Sequence, residues 1–312
     1  MAQIICGVDI SSEKLDARIG RAGPHLEVAR TPEGIARLLE WSLEHGAELC
    51  AMEATGGYER LVLALMRESG MPAALTCPRR VRRFAQSQGV LEKTGEIDAG
   101  MIAWFAQVSG LRPLPPPSVD RQRLCALVAR LRQATAIQTS QKNQLRGAQD
   151  AEARRSVESM IAFVKKDIRS LEAKVAELVG SDPLWSRLDE TFRTLKGVAD
   201  RTVATLIARL PEIGTVSNKA IAKLAGLAPI VCERRGSWTG RHISGGRQTA
   251  RCILHLAGDM VRKYDDGFRD FHRRLTAAGK AKKVIRIALA RKLLVQLNAK
   301  ARDARKLMAT AT

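Results

Sequence analysis

The sequence predicts an α/β N-terminal domain, a long helical coiled-coil hairpin behind it, and a mainly α C-terminal domain. Three observations carry that prediction. Short β-rich apolar runs alternate with helical periodicity over roughly the first third of the 312 residues. A proline-rich stretch, Arg112 to Ser118, breaks the pattern. From Val119 to Val179 there is no proline, and apolar residues recur at helical spacing. The expected division is therefore 1–112, 113–183 and 184–312.

The opening run IICGVDISSEKLDARIG is apolar and β-rich up to Asp9, then polar, then weakly alternating, so it reads as strand, turn and second strand. Thr31 to His45 reads as a helix. Thr31 can cap it, Pro32 suits the first helical position, and Ile35, Leu38, Leu39 and Leu43 form an apolar stripe. ELCAMEATGGYERLVLALMRESG predicts a buried strand ending at Glu53, a Gly-Gly turn, and a helix from about Tyr58. Ala73 to Cys77 is a further short strand. A basic stretch, RRVRRFAQ, precedes EKTGEIDAGMIAWFAQ, a helix from about Glu96. Leu124, Leu127 and Leu131, then Ile161, Val164, Ile168, Leu171, Val175 and Leu178, place two long helices behind the prolines, with the turn near Gly147. From Leu184 onward the chain reads as mostly helical, with a Gly/Arg-rich interruption between Pro229 and Gly246.

Charge separates the chain into unlike halves. Residues 1–110 hold 12 Lys and Arg against 14 Asp and Glu, whereas residues 111–312 hold 40 against 18. A net charge of +20 distributed this way calls for a polyanionic partner behind the first domain, because each neutralised phosphate releases condensed counterions. An anionic membrane is the competing partner, but no basic amphipathic helix with Trp or Phe anchors stands out. No stretch of about 20 uninterrupted apolar residues occurs. The six cysteines form no CxxC pair and no zinc spacing, and read as small buried hydrophobes of a reducing compartment. These features predict a soluble, cytoplasmic protein.

Asp9 and Glu53 each end an apolar run, which places both carboxylates at carboxyl ends of strands, where α/β sheets collect ligands. Asp98, from the helix starting near Glu96, is a third. Converging carboxylates can hold Mg²⁺ or Mn²⁺, the ions that serve phosphodiester chemistry. TLKGVADRTVATLIARL resembles a helix-hairpin-helix unit, in which Lys196 and the glycine turn would meet a phosphate. Ala228 to Arg251 interleaves glycines with Arg234, Arg235, Arg241 and Arg247, and carries Ser237, Thr239 and Ser244; arginine forks suit phosphate oxygens and a hydroxyl could be a nucleophile. Arg79 and Arg80 are further candidate phosphate contacts. Each feature also has a plain structural reading, as a turn residue, a cap or a basic loop.

GVDIS, MEATGGYE, KTGEIDA, GLAP, GSWTGRHISGGR and AAGKAKKVIRIALARKLLVQLNA occur in this order. Together they resemble the DEDD transposases of the insertion-sequence family that also includes the pilin-gene invertases. The resemblance spans nearly the whole chain. It implies an RNase H/RuvC-like first domain with four acidic metal ligands, a coiled-coil segment supporting a dimer or tetramer, and a C-terminal domain whose serine attacks DNA. It also implies a structured guide RNA pairing with donor and target DNA. By position the acids are Asp9, Glu53 and Asp98. Where the remaining acid is expected stands Gly95, so either Glu96 substitutes or the site has one ligand fewer. Arg235 occupies the expected serine position, which makes Ser237 the nearest hydroxyl and Ser244 the next. The function implied is that of a DNA transposase or site-specific recombinase. A regulator that binds nucleic acid without cutting it, or a junction-resolving nuclease, is the alternative.

Overall fold

The computed structural model describes residues 3–92, 94–113, 115, 118–234 and 237–310, with backbone alone over the described part of 231–241. The chain divides into two compact units, Met1–Pro116 and Pro117–Thr312.

The first unit is a mixed α/β domain. It is built on a five-stranded sheet of order β3-β2-β1-β4-β5. Strands β1 (Ile5–Ile10), β2 (Lys14–Ile19) and β3 (His25–Ala29) form an antiparallel meander. Helix α1 (Pro32–Glu44) returns the chain to β4 (Leu49–Glu53), and α2 (Glu59–Glu68) leads to β5 (Ala73–Thr76). Both later strands run parallel in the sheet, β4 to β1 and β5 to β4. Helices α3 (Pro78–Ser87) and α4 (Gly95–Ser109) complete the unit.

The side-chain alternation of the central strands sorts the residues into two cores. Cys6, Val8, Ile10, Cys50 and Met52 pack with Ile35, Leu38, Val62 and Met66 of α1 and α2. Ile5, Leu49, Ala51 and Ala74 pack with Val81 of α3 and Ile102 and Phe105 of α4. The cap on α1 is as expected: Thr31 Oγ1 accepts from Gly34 N at 3.2 Å, with Pro32 first in the helix. The expected stripe differs in one place. Leu43 is 57% exposed, while Ser42 turns inward and donates to Leu38 O at 2.7 Å. Cys6 and Cys50 are buried as expected, but Cys77 and Cys252 are exposed.

One contact sets where α4 lies. A Cβ on Gly7 would stand 2.0 Å from Ala99 O and 2.5 Å from Ala103 N, so the helix backbone rests directly on β1. Only glycine permits that approach.

In the second unit, α5 (Val119–Gly147) and α6 (Ala151–Ser181) form a hairpin joined through Asp150, whose carboxylate caps α6. Leu131 and Ala134 of α5 meet Val164, Ile168 and Leu171 of α6 along their shared side. The remaining elements are α7 (Pro183–Arg193), α8 (Asp200–Arg209), α9 (Asn218–Leu224), β6 (Pro229–Arg234), β7 (Ser237–Ile243), α10 (Gln248–Tyr264), α11 (Asp266–Ala277) and α12 (Lys282–Thr310). Most of this unit is helical, but the Gly/Arg-rich interruption is an antiparallel strand pair rather than an irregular loop. The main core gathers Phe192, Leu206, Phe268, Leu289, Leu293 and Leu297. Buried Asn298 of α12 accepts from Gly214 N at 2.8 Å and donates to Val216 O at 3.1 Å, tying the loop before α9 to the last helix.

Gly7→Ala should lower the urea midpoint of the first unit's unfolding, at a cost of about 1–3 kcal/mol, because its methyl group cannot fit without moving α4. An unchanged midpoint would show that α4 is free to shift.

Candidate functional site

Along β1 the residues facing α4 are Ile5, Gly7 and Asp9, and along β4 they are Leu49, Ala51 and Glu53. Val8 and Met52 are register partners in the parallel pair. One residue further on, Asp9 and Glu53 therefore stand side by side on one face at the carboxyl edge of the sheet. Both are half-buried. The loop beyond Glu53 is fixed by Glu59, whose Oε2 accepts from Thr55 N at 3.1 Å and Gly57 N at 2.8 Å. Gly56 and Gly57 hold φ of 85° and 133°, which explains the Gly-Gly turn in MEATGGYE.

Asp98 lies in the first turn of α4, directly before the Ala99 that rests on Gly7. Thr94 caps this helix, accepting from Ile97 N at 3.3 Å. Glu96 is exposed and pairs with Arg18 Nη1 at 3.2 Å. Arg79 and Arg80 are exposed in the first turn of α3, just past the end of β5, and so share the carboxyl edge of the sheet with Glu53, whose register partner is Thr76. The Arg80 guanidinium lies over the Phe105 ring at 5.1 Å.

Asp16, which the sequence analysis did not single out, also stands on this face. It is the register partner of Asp9 across the antiparallel pair, so both project from the same face. It is 4% exposed. Its Oδ1 lies 3.2 Å from His25 Nε2 and its Oδ2 3.3 Å from Lys14 Nζ. The alternation of KLDAR, with Leu15 and Ala17 buried on the opposite face, was the available signal.

The donors on this face are all carboxylates, hard oxygen ligands of the kind Mg²⁺ and Mn²⁺ take. Among the described residues no three His, Cys, Asp or Glu side chains are gathered closely enough to form a protein-only metal cage. A Mg²⁺ site needs one or two carboxylates, with water and substrate phosphate completing the shell, so the neighbouring Asp9 and Glu53 suit an ion that arrives with its substrate.

In the second unit, Lys196 is exposed in the turn between α7 and α8. The neighbouring glycine has a packing reason: Gly197 holds φ of 103°, and a Cβ there would stand 2.9 Å from Val261 N. Gly226 of GLAP and Gly246 of ISGGR likewise pack backbone on backbone, a Cβ on Gly246 standing 2.2 Å from Gly226 N. Arg247 is engaged within the unit. Its Nη1 and Nη2 reach Glu212 at 2.5 and 2.6 Å, and Nη1 also donates to Arg209 O at 2.9 Å. Ser237 pairs with Arg234, and Val231 with Arg241, in the backbone register of β6 and β7. The side chains of Arg234, Ser237 and Arg241, and the whole of Arg235, lie outside the described residues. Ser244 is exposed between β7 and two glycines of positive φ. Among the described residues no helix is long and apolar enough to cross a membrane.

An α/β domain with acids at its strand ends, joined to a basic helical unit, fits an enzyme that handles nucleic-acid phosphates. Residues 6–151 match the DEDD transposase family of the IS110 type, and residues 189–273 match the IS116/IS110/IS902 transposase family. The chain belongs to this transposase family and is a DNA recombinase. It is 23% identical over 305 residues to the pilin gene-inverting proteins of Moraxella bovis and Moraxella lacunata, covering 94% of this chain and 94% of each relative. The RuvC structure from Thermus thermophilus aligns over 36% of this chain and all of its own length, at 19% identity and a TM-score of 0.29.

Burial, the largest influence on the Glu212 carboxyl, pushes its pKa up, but the hydrogen bond from Arg247 and the charges of Arg247 and Arg121 outweigh it and hold the group below the usual glutamate range. A carboxyl lowered in the folded state stabilises fully above its unfolded pKa and loses that contribution as pH falls through its folded one. Glu212→Gln should therefore lower stability most near neutral pH, and the difference from wild type should shrink on acidification, in urea unfolding followed from pH 7 to 3. Equal differences at both ends of that range would assign no charge-dependent role to the pair.

Proposed function

We propose that this recombinase cuts and rejoins DNA with Mg²⁺ or Mn²⁺ held by Asp9 and Glu53, with Asp98 completing the site only once ion and substrate are bound, and with Ser237 as the nucleophile. The observation that supports the reading most is the placement of Asp9 and Glu53 side by side at the carboxyl edge, with the first turn of α4 lying over the same face. Bound there, the ion would offset charge on the phosphate under attack and favour ionisation of the attacking oxygen. Arg79 and Arg80 receive the DNA backbone at that edge. Arg234, Arg235 and Arg241 flank Ser237 in sequence and clamp the phosphate it attacks. The Ser237 oxygen bonds to phosphorus while the bond from phosphorus to a deoxyribose oxygen breaks. The serine proton passes to solvent and the leaving oxygen takes one up. The protein–DNA ester conserves the bond, so the reverse step rejoins a strand without external energy.

The first unit in this reading is RuvC-like, and the hairpin of α5 and α6 is a coiled coil that supports a dimer or tetramer. The partners are donor and target DNA together with a structured guide RNA, all drawn by the positive excess behind residue 110. The enzyme works in the bacterial cytoplasm, at the nucleoid.

Asp9→Ala and Glu53→Ala should each cut recombination of a supercoiled substrate in Mg²⁺ by roughly 100-fold or more, the scale of losing several kcal/mol of charge stabilisation. Thermal unfolding should show both variants folded. Retained activity in both would remove the carboxylates from the chemistry.

Catalysis by Ser237 leaves a covalent protein–DNA adduct that survives denaturation and is absent from Ser237→Ala. Adducts persisting in that variant would move the nucleophile to Ser244 or elsewhere, and recombination with no adduct in wild type would point to water or a DNA hydroxyl.

A further inference from the structure

Tyr58 stands at the carboxyl edge of the sheet, directly behind the Gly56 and Gly57 turn that follows Glu53, where it caps the start of α2. The Arg30 guanidinium lies over its ring, 4.9 Å from the centroid. Arg30 leaves the end of β3, which runs in the same direction as β1, so it reaches the same edge. The loop after β1 holds it there: Arg30 N donates to Glu13 O at 2.8 Å and Arg30 Nε to Ser12 O at 2.9 Å. The contact of Arg30 with Tyr58 thus ties the loop that follows Asp9 to the loop that follows Glu53. Tyr58 is 46% exposed and belongs to neither core of the first unit. The other aromatic residues of that unit, Trp41, Phe84, Trp104 and Phe105, all pack against its cores. Packing therefore gives no reason for an aromatic ring at position 58.

We infer that the Tyr58 ring, backed by Arg30, is a stacking platform for an unpaired base of the DNA strand next to the phosphodiester that is cut. This rests on the reading that Asp9 and Glu53 mark the cutting edge, and adds a positioning residue to it. When strands are exchanged, the bases flanking the break leave one partner before they gain another. An aromatic ring restores the stacking such a base has lost, whatever its identity, because every base has a π-face. Bases inside an intact duplex are stacked on both sides and have no face to offer. A guanidinium over the ring attracts its electron-rich face and keeps the side chain from turning freely. Arg60, Arg79 and Arg80 are exposed in the first turns of α2 and α3 at the same edge, where they suit the phosphates on either side of a stacked base. Glu59 does not oppose them strongly, since its carboxylate is taken up by Thr55 N and Gly57 N. The strand at this edge is the one whose phosphodiester is exchanged, and in a DNA recombinase that strand is DNA.

The test joins photocrosslinking to recombination, both with the full-length protein. The probe is a single-stranded thymidine oligonucleotide carrying 5-iodouracil, a base that crosslinks to aromatic rings it stacks on, with the site of attachment mapped by mass spectrometry. Wild type should crosslink at Tyr58, and the same strand annealed into a full duplex should do so far less. Tyr58→Phe keeps the ring and should recombine a supercoiled substrate within a few-fold of wild type. Tyr58→Leu keeps apolar bulk without the ring; it should melt near the wild-type temperature yet recombine roughly 5- to 100-fold more slowly, the scale of losing one stacked base. Wild-type recombination in Tyr58→Leu, or a Tyr58→Phe protein as slow as Tyr58→Leu, would overturn the platform, the second result assigning the effect to the hydroxyl. An iodouracil RNA strand that crosslinks at Tyr58 in preference to the DNA strand would overturn the choice of DNA. Asp9→Ala separates this inference from the reading beneath it. Lost recombination in Asp9→Ala with no crosslink at Tyr58 in wild type would overturn the platform and leave the acids in place. A Tyr58 crosslink with full recombination in Asp9→Ala would remove the acids and leave a base-stacking ring.

Discussion

The backbone contact between α4 and β1 at Gly7 is the constraint on which the first unit depends. With the helix resting on the strand through Ala99 O and Ala103 N, the residues one turn away have little freedom. Asp98 must come down beside the strand end that carries Asp9. Gly95 must meet whatever projects from β2 on that face, which is Asp16. A larger residue at position 7 would lift the helix and separate the acids that two strands and a helix deliver from distant parts of the chain. The glycine in GVDIS thus sets where α4 lies against the strand that carries Asp9.

The second unit uses glycine for the same purpose in another place. Gly226 and Gly246 let two turns touch backbone to backbone, and Arg247, next in the chain, binds Glu212 and the Arg209 carbonyl. Glycines and an arginine that look in sequence like a phosphate clamp therefore hold the base of the β6 and β7 pair to α8 and α9. The pair carries Arg234 and Arg241 in its strands.

Much of the fold was legible because its signals are local. Thr31 and Pro32 announce α1, apolar runs announce β1 and β4, and the helical spacing of Leu124 to Leu178 announces the α5 and α6 hairpin. The same locality made Asp9, Glu53 and Asp98 visible, since strand ends and helix starts can be read from a few residues. What escaped depends on contacts distant in sequence. Strand β3 is an edge strand with one buried residue, so its apolar signal is thin. The β6 and β7 pair is rich in Gly and Arg and resembles a loop until the two strands are set against each other. Asp16 sits in an alternating run like that of many surface strands, and its burial arises only when the first turn of α4 closes over it.

The two halves of the chain differ in charge, and that difference bears on the acidic face of the sheet. Residues 1–110 carry a small negative excess, and the carboxylates crowd one face of the sheet. Such a face repels DNA, and its carboxylates repel one another. The net charge of +22 behind residue 110 reverses the first problem by attracting the polyanion. The second is met in part by Lys14, His25 and Arg18, which pair with Asp16 and Glu96. Those residues stand on β2 and β3, at the flank of the acidic face, and none of their ion pairs reaches from the β4 side. The positive side chains that answer Asp16 and Glu96 thus come from the strands beside β1, the same strands whose register sets Asp9 and Asp16 side by side.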